Sequence, residues 1–505
     1  MLRMDINMPP LSPFEPSPLD PSDWDGFRRQ AHQLLDACLD YFAAAREHPW
    51  RPIGEAARAA LALGEAAEGS GMEALSADLI EFVLPYSSGN IHPRFFGWVH
   101  GTGLAAGLLA EMVAATMNSN CGGRDHGAVY VERAVIDWCR RCFGMPEGTS
   151  GVLVAGTSQA TVIALASARQ FALGADSRRV GIQGAPRLAA YGAEGVHNAT
   201  VKALELLGLG SSALRRIRTR QDTGAMDLGA LEHAMAEDRA VGVRPFCVIG
   251  TAGSVDRGDF DDLEGLADFC GREKVWFHVD GAFGVWARLA EAPWRDLARG
   301  IDRADSLAFD FHKWMYVQYD CGAVLIRDEA KHRAAFAARP AYLAGQSQGL
   351  GGGDPWYCDY GLDLSRGFRA LKVWSALRAY GSRLLGEAIT RNCRLAALMA
   401  RLVEASPDLT LSAPVRLNVC CFSAARPDWR PAAQDELNTR IAQQLQIEGE
   451  AVFSTTRIHE RTVLRAAIVN HRTCEADISH ALAAVERKRA ELSGALAREF
   501  GVCAP

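Results

Sequence analysis

The sequence predicts an α/β protein built on a largely parallel sheet. Between residues 150 and 330, short apolar runs alternate with stretches of helical periodicity, the pattern of strands joined by crossover helices. The polar residues that stand out in this region each follow an apolar run, and in such sheets ligands sit outside the carboxyl ends of the strands. The chain is also large and core-rich: 505 residues, 49% hydrophobic and 23% charged. That exceeds one ordinary domain.

Residues 1 to about 20 carry Pro9, Pro10, Pro13, Pro16 and Pro18, with Pro21 just beyond, and read as an acidic, flexible arm. Phe27, Ala31, Leu34, Leu35, Cys38, Leu39 and Phe42 recur at three and four, so a helix is predicted over 22–47, capped by Ser22 or Asp23. His48-Pro49-Trp50-Arg51-Pro52 breaks it. A second helix fits Gly71 to Leu84 and stops at Pro85. Helices this amphipathic call for a surface to pack on, such as a second subunit. Residues 91–103, aromatic and glycine-rich, suit either a pocket wall or a buried connector. Helices are predicted over Leu104 to Met117 and Val129 to Phe143.

The alternating region then reads as strands at Gly151 to Ala155, Arg187 to Tyr191, Phe246 to Thr251, Val275 to Val279, Ser306 to Asp310 and Gly322 to Ile326. The intervening helices are expected near Ser158, over His197 to Leu207, and over 262–272. Five glycines between Gly345 and Gly353 mark a long loop with the character of a lid. Helices resume over Phe368 to Tyr380 and Leu384 to Glu404. The last hundred residues mix strands (Arg416 to Ser423, Thr462 to Val469) with a final helix (Glu475 to Leu492).

The net charge of −6 is dispersed, which gives no reason to expect nucleic acid or an anionic membrane as a partner. The N-terminus lacks a basic-then-apolar signal pattern, and no apolar run is long enough to span a bilayer. Thirteen cysteines are scattered without a regular framework. They read as free thiols of a reducing cytoplasm.

Two features carry chemistry. Lys313 lies among Leu307, Phe309, Phe311, Trp314 and Met315, directly after His312. A lysine in apolar surroundings loses its proton more readily, and a neutral amine attacks carbonyls. Upstream, the apolar run of 273–284 ends in an acid, Asp280. Either residue alone has a bland reading, as a surface lysine or a turn acid. Together they are the pair that a pyridoxal 5'-phosphate (PLP) enzyme needs, one for the pyridinium nitrogen and one for the Schiff base.

Ordered blocks then extend a family resemblance from about residue 22 to about 490. They are His92-Pro-Arg-Phe-Phe, Gly156-Thr-Ser-Gln-Ala-Thr161, His197, His278-Val-Asp-Gly-Ala282, His312-Lys313-Trp, Tyr342-Leu, Arg366-Gly-Phe-Arg-Ala-Leu-Lys372 and Leu464-Arg. The chain resembles the group II PLP-dependent amino-acid decarboxylases, aromatic-L-amino-acid decarboxylase among them. The resemblance implies fold type I. A helical N-terminal segment (1–103) would precede a large PLP-binding α/β domain (104–371) with a mostly parallel, seven-stranded-type sheet. A small C-terminal α+β domain (372–505) would follow. It also implies a cytoplasmic homodimer with sites at the subunit interface.

By the same match, Lys313 forms the Schiff base and Asp280 pairs with the pyridine nitrogen. Ala282 lies against one ring face and His197 stacks on the other. Thr157 and Ser158 take the phosphate, Thr251 lies near a ring substituent, and His312 completes the His-Lys pair. Phe311 replaces the proline common in the family, which touches turn geometry rather than chemistry. Tyr342 matches the loop tyrosine that protonates the α-carbon after carbon dioxide leaves. It tends to be changed in the related aldehyde synthases, so its presence favours simple decarboxylation.

On substrate the residues divide. Arg124 and His126 suit an acidic or polar amino acid, or a bridge between subunits, whereas Phe95, Phe96 and Trp98 favour an aromatic one, the reading preferred here. The remaining alternatives are an aldehyde synthase, an aminotransferase of the same fold, and a PLP-binding pseudoenzyme.

Overall fold

A computed structural model of the chain describes residues 17, 19–63, 68–338, 348–424, 426 and 428–501. The chain divides into two units, Met1–Gly89 and Asn90–Pro505.

In the first unit the helix Trp24–Ala43 begins where Asp23, not Ser22, accepts the N–H groups of Asp25 and Gly26 at 3.1 and 2.9 Å. The helix buries none of its own residues. The predicted 71–84 helix is instead Met72–Asp78, followed by a wide turn at Leu79–Val83 and a tight one at Leu84–Tyr86. Pro85, which lacks an N–H, sits in that tight turn. Tyr41 stacks on His48, centroids 4.1 Å apart, and shares a 2.7 Å hydrogen bond with Ser87.

In the second unit the strands are β1 (Ser150–Val154), β2 (Leu188–Ala193), β3 (Leu214–Ile217), β4 (Arg244–Thr251), β5 (Trp276–Asp280), β6 (Ser306–Asp310) and β7 (Gly322–Ile326). They form one seven-stranded sheet in the order β1-β7-β6-β5-β4-β2-β3. β7 runs antiparallel to both neighbours, and the other pairings are parallel. Every residue of β1, β5, β6 and β7 is buried, so these strands are mainly apolar on both faces instead of alternating. β3, Leu-Arg-Arg-Ile, escapes the sequence reading because its two arginines hide the strand pattern.

A second, antiparallel sheet holds β8 (Thr410–Leu411), β9 (Val419–Ser423), β10 (Ser454–Ile458) and β11 (Arg461–Ala467), ordered β10-β11-β9-β8. The helix Ala370–Ala405 runs where two helices are predicted. The break between them survives as a kink at Gly381, whose φ of 68° is left-handed and suits glycine.

The aromatic residues near Lys313 sort into anchors. Trp286 stands 5.4 Å from Phe309 and 5.2 Å from Phe311, ring to ring, and its Nε1 donates to the Asp310 carbonyl at 2.9 Å. Past the lysine, Trp314 Nε1 and the Tyr316 hydroxyl both donate to Asn392 Oδ1, at 3.0 and 2.7 Å. Contacts of this kind contribute about 0.5–1.5 kcal/mol per aromatic pair beyond area burial. They hold the segment around Lys313 from both ends.

Candidate active site

The site residues gather where the parallel strands end. β6 closes on Asp310, and the backbone continues through Phe311, His312 and Lys313. His312 locks this turn onto the start of β7. Its N–H donates to the Cys321 carbonyl at 3.1 Å, and its Nδ1 accepts the Cys321 N–H at 3.0 Å. An accepting Nδ1 places the ring proton on Nε2. Burial pushes the His312 pKa down, and Tyr319 covers the ring at 4.3 Å.

Lys313 is not simply a lysine in apolar company. Its Nζ lies 2.8 Å from Asp310 Oδ2, the lysine side chain 23% exposed and the aspartate 2%. The other carboxylate oxygen, Oδ1, accepts the Thr157 N–H at 2.6 Å. Asp310 therefore joins the lysine to the start of the helix Thr157–Leu173. The sequence reading passes over Asp310, because a strand-end acid resembles any turn acid until its two partners are known.

Two glycines permit this closeness. A Cβ on Gly322 would fall 2.5 Å from Asp310 Oδ1 and 2.6 Å from the Gly156 Cα. Only without it can the ends of β1 and β6 meet around the helix start. Thr157 is buried and its Oγ1 has no hydrogen-bond partner, whereas Ser158 is exposed. A buried hydroxyl left unpaired costs about 1–3 kcal/mol, so it marks a place where a ligand oxygen would be welcome. Backbone N–H groups and hydroxyls at a helix start favour an anion such as phosphate.

Asp280 ends β5, buried, with Oδ1 accepting the Ala282 N–H at 3.2 Å. It pairs in register with Thr251 on β4 and Ala308 on β6. Thr251 is fixed by Asp261, which accepts its N–H at 2.7 Å. Burial pushes the Asp261 pKa up to about 6. The Ala282 carbonyl accepts the Asp310 N–H at 3.0 Å, which ties the two strand ends together. His278, two residues before Asp280, is fully buried, and burial lowers its pKa to about 4 against the pull of the Asp280 charge.

His197 lies beyond β2 and caps the helix Asn198–Leu206, its Nδ1 accepting the Ala199 N–H at 3.2 Å. The ring is exposed, with the proton on Nε2. Tyr342 lies outside the described residues.

Residues 95–103 meet the lysine segment directly. The Gly101 N–H donates to the His312 carbonyl at 3.1 Å. His100 stacks on both Phe95 (5.8 Å) and Trp98 (5.5 Å), and burial, then the charge of Lys313, lower its pKa. Of the aromatic trio, Phe96 belongs to the core against Phe453, Phe95 is buried, and Trp98 is 51% exposed. Arg465, buried, donates to the Trp98 carbonyl at 3.1 Å and holds that turn. Arg124 lies over the Trp356 ring, and the His126 Nε2 contacts the Asn120 carbonyl at 3.2 Å.

The residues present fit PLP: an amine, a buried acid, small residues between them, and an unpaired hydroxyl at a helix start. Sheet and site together define the class, the PLP-dependent α/β enzymes of fold type I. The family model described as the pyridoxal-dependent decarboxylase conserved domain matches residues 59–425, and the chain belongs to that family. It is 31% identical over 405 residues to an aromatic-L-amino-acid decarboxylase of Bacillus atrophaeus, covering 80% of this chain and 82% of that protein. A 4-hydroxyphenylacetaldehyde synthase of Rhodiola rosea is 26% identical over 482 residues, covering 92% of this chain and 96% of that one. The solved structure of Oryza sativa TDC with PLP and tryptamine superposes with a TM-score of 0.85 at 25% identity, covering 94% of this chain and 99% of the other. The protein is a PLP-dependent carboxy-lyase acting on an amino acid.

Proposed function

We propose that the protein decarboxylates an aromatic L-amino acid to its amine and carbon dioxide. The observation that carries this is the hydrogen bond from the Gly101 N–H to the His312 carbonyl, which joins the aromatic segment 95–103 to the lysine turn. The similarity to aromatic-amino-acid decarboxylases supports the same substrate class.

Lys313 would hold the cofactor aldehyde through Nζ, Asp280 the ring nitrogen, and Thr157 with Ser158 the phosphate. Thr251 would lie beside a ring substituent, with Ala282 under one face, His197 over the other, and His312 fixing the lysine turn. When bound, PLP supplies the sink for the electron pair left on the α-carbon as carbon dioxide departs. Asp280 would hold a proton at the ring nitrogen. The exposed indole of Trp98 packs against the substrate ring and excludes water from it. Tyr342 then delivers a proton to the substrate α-carbon, assisted by the Nε2–H of His197.

The reading extends to a cytoplasmic homodimer. Leu109, Met112, Val113 and Met117, each 44–60% exposed, line one face of the helix Ala105–Met117, and a second copy would cover them. Twelve free cysteines among the described residues suit a reducing compartment. No helix among the described residues is long and apolar enough to cross a membrane.

The test measures carbon dioxide, amine, aldehyde and peroxide across the amino acids. Stoichiometric amine from phenylalanine, tyrosine or tryptophan is expected. Aldehyde with ammonia and peroxide would instead identify an aldehyde synthase, and turnover confined to acidic amino acids would overturn the aromatic reading. Borohydride should fix the cofactor on Lys313 and leave the Lys313→Ala protein unlabelled.

A further inference from the structure

Asp310 stands where the cofactor phosphate is expected. The carboxylate holds the Thr157 N–H at 2.6 Å, the first free donor of the helix Thr157–Leu173, and the Lys313 ammonium at 2.8 Å. It is 2% exposed, confined by the Gly156 and Gly322 backbones, and its carbonyl is pinned by Trp286. Beside it the Thr157 hydroxyl, in a residue 6% exposed, has no partner. The helix start is thus already neutralised by an anion of the protein's own, while a hydroxyl suited to an oxygen ligand waits alongside.

A phosphate dianion and a buried carboxylate cannot share one N–H without strong repulsion, since like charges at such separations favour the protonated form of one of them. Around Asp310 the charged and titratable groups are Lys313, the His312 Nε2 at 3.7 Å and the Tyr319 phenol, with Asp280 and His278 on the neighbouring strand. Lys313 is the one strong counter-charge among them, and its amine is the group that would bind the cofactor aldehyde.

We propose that Asp310 is a cofactor-binding residue that controls cofactor loading. In the unloaded enzyme its carboxylate fills the helix start and holds Lys313 in place. When the phosphate arrives, Asp310 takes a proton from solvent and donates it as a hydrogen bond to a phosphate oxygen. The proton is conserved: one leaves the solvent and one appears on the carboxyl. Loading is therefore linked to proton uptake and weakens as pH rises. This inference rests on the reading that the phosphate binds at Thr157.

The test uses 4'-deoxypyridoxine 5'-phosphate, which lacks the aldehyde and so removes the amine chemistry of Lys313. Its phosphate-free parent, 4'-deoxypyridoxine, is the control that cancels protonation of the ring. Affinities for the apoenzyme are measured from pH 6 to pH 8.5 for wild type, Asp310→Asn and Asp310→Ser. Calorimetry in buffers of different ionisation enthalpy counts protons on the wild type. For the phosphorylated probe, the two variants are expected to bind about tenfold more tightly than wild type at pH 8, with a smaller advantage at pH 6, as a linked proton requires. The wild type is expected to take up about one more proton with the phosphorylated probe than with its parent. Variants that bind it no better than wild type, or an equal proton count for the two probes, overturn the proposal. The proton count stands even if neither variant folds. A probe that fails to block borohydride fixation of PLP on Lys313 would instead overturn the assignment of the site.

Discussion

The Gly101 amide lies against the carbonyl of His312, and no side chain fits between them. The N–H donates at 3.1 Å, and a Cβ at Gly101 would fall 2.2 Å from the His312 oxygen and 2.6 Å from the Lys313 oxygen. Both are backbone atoms of a segment anchored on either side, so neither can retreat freely. Gly101→Ala must push the aromatic wall away from the lysine, at a cost of about 1–3 kcal/mol for overpacking. The expected outcome is a melting temperature lowered by a few degrees and decarboxylation reduced at least tenfold. Wild-type turnover in this variant would mean that the wall does not shape the site.

Trp98 is the exposed ring of that wall, its backbone held by Arg465. Removing a large apolar surface from a bound ring forfeits about 1.5–3 kcal/mol. Trp98→Ala should therefore raise KM for an aromatic amino acid by about tenfold or more, with kcat little changed. The same variant should treat a small aliphatic amino acid as wild type does. An equal loss with both substrates would show that Trp98 supports the fold and not the substrate ring.

Lys313 and Asp280 are legible in the sequence because apolar residues surround the one and lead up to the other, and the two together suit one chemistry. The sheet is legible too, its buried strands being mainly apolar words. What escapes depends on contacts between distant segments. Asp310 becomes notable only through Thr157 and Lys313, and Gly101 only through the His312 carbonyl. Phe96 and Trp98, two residues apart, read alike in sequence, yet one is core and the other surface. β3 and the helix Pro431–Ile447 escape because exposed charge dilutes their periodicity.

Two buried histidines, His278 and His332, and the half-buried His471 set an acid limit to stability. Burial lowers the pKa of His278 to about 4 and of His332 and His471 to about 3, against 6.5 for an exposed imidazole. A depressed folded-state pKa contributes stability that is complete above the unfolded value and is lost as pH falls toward the folded one. Each group carries on the order of 3 kcal/mol across that range. Asp261 acts in the opposite sense: raised to about 6, it favours the fold as pH falls to its unfolded value. Burial raises Asp259 and Asp305 in the same sense as Asp261, but it also lowers His100 and His312, and the depressed imidazoles outweigh the raised carboxyls. The melting temperature should hold from pH 8 to 6.5 and then drop steeply toward pH 4.5. A flat profile down to pH 4.5 would contradict the assignment of these histidines as neutral.

Arg366 and Glu132 form the most buried ion pair in the site region, with side chains 2% and 1% exposed. Arg366 also donates to the Cys121 and Leu153 carbonyls at 2.8 and 2.6 Å, while Glu132 accepts the Leu153 N–H at 3.0 Å. Leu153 belongs to β1, one residue from the strand end that leads to Gly156 and Thr157. Breaking a buried pair strands a charge and costs about 3–5 kcal/mol, whereas exchanging both partners for apolar groups can be neutral. Glu132→Ala, which leaves the arginine buried alone, should destabilise the protein by about that amount and loosen the cofactor, since β1 carries the helix start. Glu132→Gln keeps an acceptor for Leu153 and Arg366 and should lose less. The double variant Glu132→Leu with Arg366→Met should recover much of the stability in denaturant titration. If the double variant is as unstable as Glu132→Ala, the loss comes from the hydrogen bonds to β1 and not from the stranded charge.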